Sequence, residues 1–125
     1  MTEDDAAREH YRRRKAQRHA QRERERLAWL ARAQEAILRL APCHPGVQEV
    51  YLFGSLLQPG RFRPDSDIDV AVICESLEAE SAFWRALEHE LQRDVDVRPA
   101  TGAVAEAIAS GGMRVYGRKD PCTAQ

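Results

Sequence analysis

The chain has 125 residues, 43% hydrophobic and 31% charged, with a formal net charge of -1. That length supports one domain around a single core, and no run of about 18 apolar residues exists to form a membrane-spanning helix. The near-neutral total conceals an asymmetry: residues 1–40 hold eleven Lys/Arg against seven Asp/Glu, the remaining 85 eight against thirteen. A basic arm thus precedes an acidic body, with an excess too mild to signal nucleic-acid binding by itself.

The opening residues, Met1-Thr2-Glu3-Asp4-Asp5, are acidic where a secretory signal is basic and then apolar. Thr2 and Asp5 have the spacing of a capping box, and from there to Leu40 no Gly or Pro interrupts a helix-favouring composition. Leu27, Leu30, Ile37 and Leu40, with Trp29 and Ala33, give its second half an apolar stripe to pack on the body. Between Thr2 and Glu25, Tyr11 is the only large apolar side chain, so the first half is expected to project or to dock on another chain. Pro42, Pro45 and Gly46 end the helix.

Val47 to Phe53 reads as a first strand and Ile68 to Cys74 as a second, joined by the loop Leu56–Asp65. Ser76 is placed to cap a helix running to about Gln92, with Phe83, Trp84, Leu87 and Leu91 inward. Trp84 and Phe83 read as core rather than as a ligand platform. Asp94 to Arg98 predicts a third strand stopped by Pro99. A helix over Gly102 to Ser110 and a last strand over Met113 to Tyr116 follow, separated by Gly111-Gly112. The polar tail after Gly117 is expected to be flexible. Cys43, Cys74 and Cys122 share no metal-ligand spacing, and the four histidines form no zinc-type set. Reduced thiols in a cytoplasmic protein fit this pattern.

The chemistry concentrates between Leu52 and Val97. Leu52-Phe53-Gly54-Ser55 puts a small-residue turn at the end of one strand, and Ser66-Asp67-Ile68-Asp69-Val70 opens the next with two acids two apart. Side chains at that spacing share one face of a strand, about 6–7 Å apart, so Asp67 and Asp69 project together while Ile68 and Val70 enter the core. Asp94-Val95-Asp96-Val97 offers a third carboxylate. Converging carboxylates beside a glycine turn suit a divalent cation and a polyphosphate. Arg61 and Arg63 have the right chemistry to grip phosphate, and equally that of ordinary loop cations.

Phe53-Gly54-Ser55, Ser66-Asp67-Ile68-Asp69 and Val95-Asp96-Val97, in this order and strand context, resemble the minimal nucleotidyltransferase (MNT) domains of the polymerase-β-like superfamily. The resemblance runs from about Val50 to Tyr116. It implies an α/β (α+β) fold, a small mixed β-sheet flanked by helices, here preceded by a long N-terminal helix. The implied layout is a helix over residues 1–41, a nucleotidyltransferase domain over 42–117 and a tail over 118–125.

Such domains often act as antitoxins beside a helical HEPN-type toxin, so the implied activity is transfer of AMP from ATP to a hydroxyl, commonly a tyrosine of that partner. Carried onto this chain, the resemblance gives Asp67, Asp69 and Asp96 as catalytic and Mg²⁺-binding residues, with two ions in the active complex. Gly54, Ser55 and Ser66 become nucleotide-binding residues, with Arg61 and Arg63 as secondary candidates. Asp96 is preferred over Asp94 because Val95 and Val97 frame it as in the family motif. The loop from Ser55 to Gly60 is one residue longer than is usual, with Pro59 as the extra residue and Leu57 replacing a small one. Two other readings follow: a catalytically impaired binding module that neutralises its partner by complex formation, and, more remotely, a small-molecule nucleotidyltransferase. A nucleic-acid partner is not expected, because Glu3, Asp4, Asp5, Glu9, Glu23 and Glu25 dilute the positive charge of the N-terminal helix.

Overall fold

A computed structural model describes residues 2–118; of the expected flexible tail, Arg118 is held by its N–H on the Gln48 carbonyl, and residues 119–125, Cys122 among them, lie outside the described residues. The first helix, α1 (Glu3–Leu40), starts on the expected capping box: the Thr2 hydroxyl accepts from the Asp5 N–H, and the Asp5 carboxylate accepts from the Thr2 N–H. After a 3₁₀ turn over Ala41–Cys43 come β1 (Val47–Phe53) and a second 3₁₀ turn, Gly54–Leu57. Then follow β2 (Ile68–Cys74), α2 (Leu77–Leu91), β3 (Val95–Pro99), α3 (Gly102–Gly111) and β4 (Met113–Gly117).

The four strands form one mixed sheet in the order β3-β2-β1-β4. β1 is antiparallel to both β2 and β4, and β2 is parallel to β3. The parallel pair needs a crossover, which α2 supplies. Alternation sorts the residues of β2 and β3: Ile68, Val70, Val72, Val95 and Val97 are buried, while Asp69, Asp96 and Arg98 lie on the opposite face.

The core lies between that buried face and the helices α1 and α2, with Phe83, Ile37, Leu52, Leu56 and Leu87 fully enclosed. Trp84 is half-buried, and its indole N–H donates to the Val95 carbonyl at 2.6 Å. α1 corrects one expectation. Leu27, assigned to the packed stripe, is 54% exposed, and Arg26 is the residue that turns inward, at 8% exposure. The buried line runs through Arg26, Ala33, Ala36 and Ile37, which places Leu27 one position off it. From Thr2 to Arg22 every residue of the helix is exposed.

Candidate active site

The end of β1 delivers the glycine turn and the start of β2 delivers the acids to the same edge of the sheet. Phe53 pairs with Asp69 across β1 and β2, and Asp69 pairs with Asp96 across β2 and β3. Asp69 and Asp96 are therefore side by side on neighbouring strands, about 4.8 Å apart in the pairing direction. Gly54 takes a left-handed backbone, φ 80°, and a Cβ added there would meet the Asp69 carboxylate, coming within 3.1 Å of its Cγ. Only glycine lets the turn lie this close to the acid without strain.

Burial raises the pKa of Asp69 above the ordinary carboxylate value, and the charges of Asp96 and Asp67 raise it further. Asp67 precedes β2 and is exposed. The Asp96 carboxylate accepts from Arg98 Nε at 2.9 Å. Among the described residues no three His, Cys, Asp or Glu side chains form a group that could hold a metal ion. The three expected ligands converge at the level of the backbone, but their side chains do not form a cage. The Arg98 guanidinium engages one oxygen of the Asp96 carboxylate. The donor set still fits a hard divalent cation: these are carboxylate oxygens, and their mutual repulsion is what a cation relieves.

Ser55 lies half-buried in the 3₁₀ turn, with its carbonyl accepting from the Gln58 N–H. The Ser66 hydroxyl is engaged within its own loop, accepting from the Arg63 N–H at 2.9 Å. Arg61 is exposed, and Arg63 lines a cleft with Arg22, Glu25, Trp29, Phe62 and Arg93 on the α1 side. The structure therefore brings Gly54, Asp69 and Asp96 into direct proximity and does not bring Arg63 to the carboxylates. Asp94 is exposed before β3, and its carbonyl accepts from the Ile68 N–H. Burial pushes the Cys74 thiol up to about 11, which leaves it protonated and unreactive at neutral pH.

Three residues that position the site carry no motif in the sequence. Arg26 reaches from α1 to donate to the Leu56 carbonyl at 3.0 Å and pairs with Glu23 at 2.6 Å; Glu23 also accepts from the Gly60 N–H at 3.1 Å. Arg93 gathers the far end of the loop, donating to the carbonyls of Arg63, Pro64 and Ser66 at 2.7–3.1 Å. Its guanidinium lies 4.5 Å from the Phe62 ring centre and 4.7 Å from that of Trp29, a cation–π arrangement. Glu88 fixes the start of β3 by accepting from the Val95 N–H at 3.1 Å, next to Asp96.

A left-handed glycine turn thus faces paired aspartates on adjacent strands. The chain belongs to the family described as polymerase beta, nucleotidyltransferase, which residues 35–120 match. Among solved structures, a chain of a toxin–antitoxin complex determined with AMP-PNP is similar at 28% identity and a TM-score of 0.56, over 69% of this chain and 74% of that one. A chain of the MntA-HpeT toxin–antitoxin complex, with two aspartates two positions apart replaced by glutamate, is similar at 26% identity and the same TM-score, 0.56, over the same shares, 69% and 74%. A chain from a complex of tri-AMPylated HEPN toxin from Shewanella oneidensis with MNT antitoxin is similar at 25% identity and a TM-score of 0.50, over 69% of this chain and 71% of that one. No curated protein matches the chain.

Proposed function

We propose that this chain is an antitoxin of the minimal nucleotidyltransferase type, acting in the cytoplasm to transfer AMP from ATP to a tyrosine hydroxyl of a HEPN-type toxin. The observation that carries this reading is the Asp69–Asp96 register pair against Gly54, in a chain of the nucleotidyltransferase family. The toxin–antitoxin neighbours support the choice of partner, and the AMP-PNP complex among them supports ATP as the donor. The paired Asp-to-Glu replacement in one neighbour has the same spacing as Asp67 and Asp69.

In this mechanism the tyrosine oxygen attacks the α-phosphorus of ATP in line, forming a new O–P bond as the bond to the β-phosphate oxygen breaks. Pyrophosphate leaves, and the hydroxyl proton passes to the Asp96 carboxylate. Gly54 lets the backbone approach the phosphates, and Ser55 hydrogen-bonds them through its hydroxyl and N–H. Asp67, Asp69 and Asp96 would hold Mg²⁺, which when bound neutralises the triphosphate and the developing charge. The contact with Arg98 occupies one oxygen of Asp96, Oδ2, and competes there with a cation.

That contact, with the Pro59-lengthened loop, favours a second reading in which the chain neutralises its partner by occupancy. Intact-mass spectrometry of a HEPN partner incubated with this chain, ATP and Mg²⁺ separates the two. An AMP adduct that disappears with Asp67→Asn and with Asp69→Asn is expected. A stable complex without an adduct would leave the occupancy reading.

A further inference from the structure

Among the described residues, Arg98 is the one cation in ion-pair contact with an acid of the site, and the reaction above gives it no part. Alternation along β3 buries Val95 and Val97 and leaves Asp96 and Arg98 on the face that carries Asp69. Arg98 Nε donates to Asp96 Oδ2 at 2.9 Å. Its neighbour across β2 is Ala71, which has no polar side chain to hold it. Among the described residues neither Nη nitrogen of Arg98 makes a hydrogen bond, and neither does Asp96 Oδ1. Arg98 also sets its charge against the burial of Asp69 and the repulsion from Asp96 and Asp67.

Position across the sheet separates a donor side from an acceptor side. Gly54 closes on Asp69 from the end of β1, whereas Asp96 and Arg98 flank Asp69 from β3. Phosphates held at the Gly54–Ser55 turn lie on the side of Asp69 away from Arg98. Attacking and leaving oxygens stand roughly in line across the phosphorus, so the acceptor oxygen comes from the β3 side. The Arg98 side chain is 60% exposed, open to a tyrosine brought by another protein. The neighbouring arginines are occupied or lie elsewhere: Arg93 holds the loop carbonyls, Arg114 pairs with Glu49, and Arg63 lines the cleft on the α1 side.

We propose that Arg98 is a catalytic residue on the acceptor side, its Nη groups donating to the tyrosine oxygen as that oxygen attacks. This rests on the AMP-transfer reading. A tyrosine hydroxyl has an ordinary pKa of about 10, so it is almost wholly protonated at neutral pH. A guanidinium fixed beside the oxygen stabilises the phenolate character that attack requires. The oxygen bonds to the α-phosphorus as the bond to the β-phosphate oxygen breaks, and pyrophosphate leaves with that electron pair. The phenolic proton passes to Asp96 Oδ1, the oxygen Arg98 leaves free. Arg98 stays charged, and its hold on Oδ2 orients the carboxylate for that proton.

Steady-state transfer to a HEPN partner by the parent chain and by Arg98→Gln tests the proposal, with calorimetry of Mg·ATP on both. The variant should lose about 10²-fold in kcat/KM for the acceptor, the scale of one oxyanion donor. Its circular dichroism should be unchanged, and Mg·ATP should bind no more weakly. Arg98→Lys should recover part of the rate, since an ammonium donates but lacks the planar fork. A partner with difluorotyrosine at the acceptor position, a more acidic phenol, should accelerate Arg98→Gln more than it accelerates the parent. Equal rates for the parent and Arg98→Gln, or a loss that the acidic phenol does not relieve, overturn the proposal and leave the AMP-transfer reading standing. Weaker Mg·ATP binding at an unchanged acceptor KM assigns Arg98 to the donor and overturns it as well. No adduct with the parent chain removes the AMP-transfer reading and this proposal with it.

Discussion

Asp69 is the most constrained residue of the site. It is half-buried, flanked by two like charges and pressed against Gly54. Its folded-state pKa is raised, so the folded protein binds its proton more tightly than the unfolded chain does. Stability from this group is therefore greatest below the unfolded carboxylate pKa and falls as pH rises through the folded value, leaving a deficit at neutral pH. Asp69→Asn is nearly isosteric and removes the charge. Its Tm should exceed that of the parent at pH 7–8 and converge with it near pH 3, while AMP transfer is lost. A variant destabilised at neutral pH would show that the carboxylate makes a favourable contact instead. Gly54→Ala should act in the opposite direction. The left-handed backbone alone costs a non-glycine residue about 1–2 kcal/mol, and the new methyl group must displace the Asp69 carboxylate. Urea denaturation should show a loss of at least this size, together with a fall in transfer rate of more than tenfold.

At the scale of elements, the loop between β1 and β2 is held from behind by two arginines, Arg26 of α1 and Arg93 of the connection between α2 and β3. Arg26 is buried and satisfies the Leu56 carbonyl and the Glu23 carboxylate together; that pairing holds the Glu23 carboxyl below the usual carboxylate range. Arg26→Ala leaves the buried Leu56 carbonyl without this donor, at a cost of about 1–3 kcal/mol, and leaves Glu23 only the Gly60 N–H. Denaturant titration should show this loss, and Arg26→Lys should recover only part of it because an ammonium lacks the planar fork. Recovery in full would mean that charge alone matters there.

The sequence made the strands and their acids legible because alternation is a local signal. The starts of β1, β2, α2 and α3 fall at or within a residue of where Val47, Ile68, Ser76 and Gly102 put them. Arg26 and Arg93 were not legible. An arginine in a charged helix reads as solvated, and what it touches, Leu56 thirty residues away or the Arg63–Ser66 carbonyls, depends on tertiary packing. Leu27 misled for the same reason, since an apolar side chain one position off the buried line fits a stripe on paper. Asp96 was placed beside Asp69 by motif, but its turn toward Arg98 depends on a side-chain contact that strand periodicity does not encode.

At the scale of the whole molecule, α1 is one continuous helix with two energetic regimes. Every residue from Thr2 to Arg22 is exposed, although His19 and Arg22 already lie beside the loop; Glu23, Arg26, Trp29 and Leu30 then begin the partly or fully buried contacts with the loop and the core. Helical propensity, the capping box and continuity with the packed half hold the projecting segment, and an isolated helix of that length is marginal in water. Two nested truncations should therefore behave differently. Removing residues 2–22 should shift stability by no more than about 0.5 kcal/mol, lower the helical circular-dichroism signal, and leave AMP transfer to the toxin intact. Removing residues 2–28 also deletes Glu23 and Arg26, frees the Leu56 carbonyl and the Gly60 N–H, and should lower both Tm and transfer. Calorimetry and the mass-spectrometric transfer assay on the two chains make the comparison. If the shorter truncation already loses transfer to the toxin with its fold unchanged, the arm docks the toxin. If the longer one behaves like the shorter, Arg26 does not hold the catalytic loop.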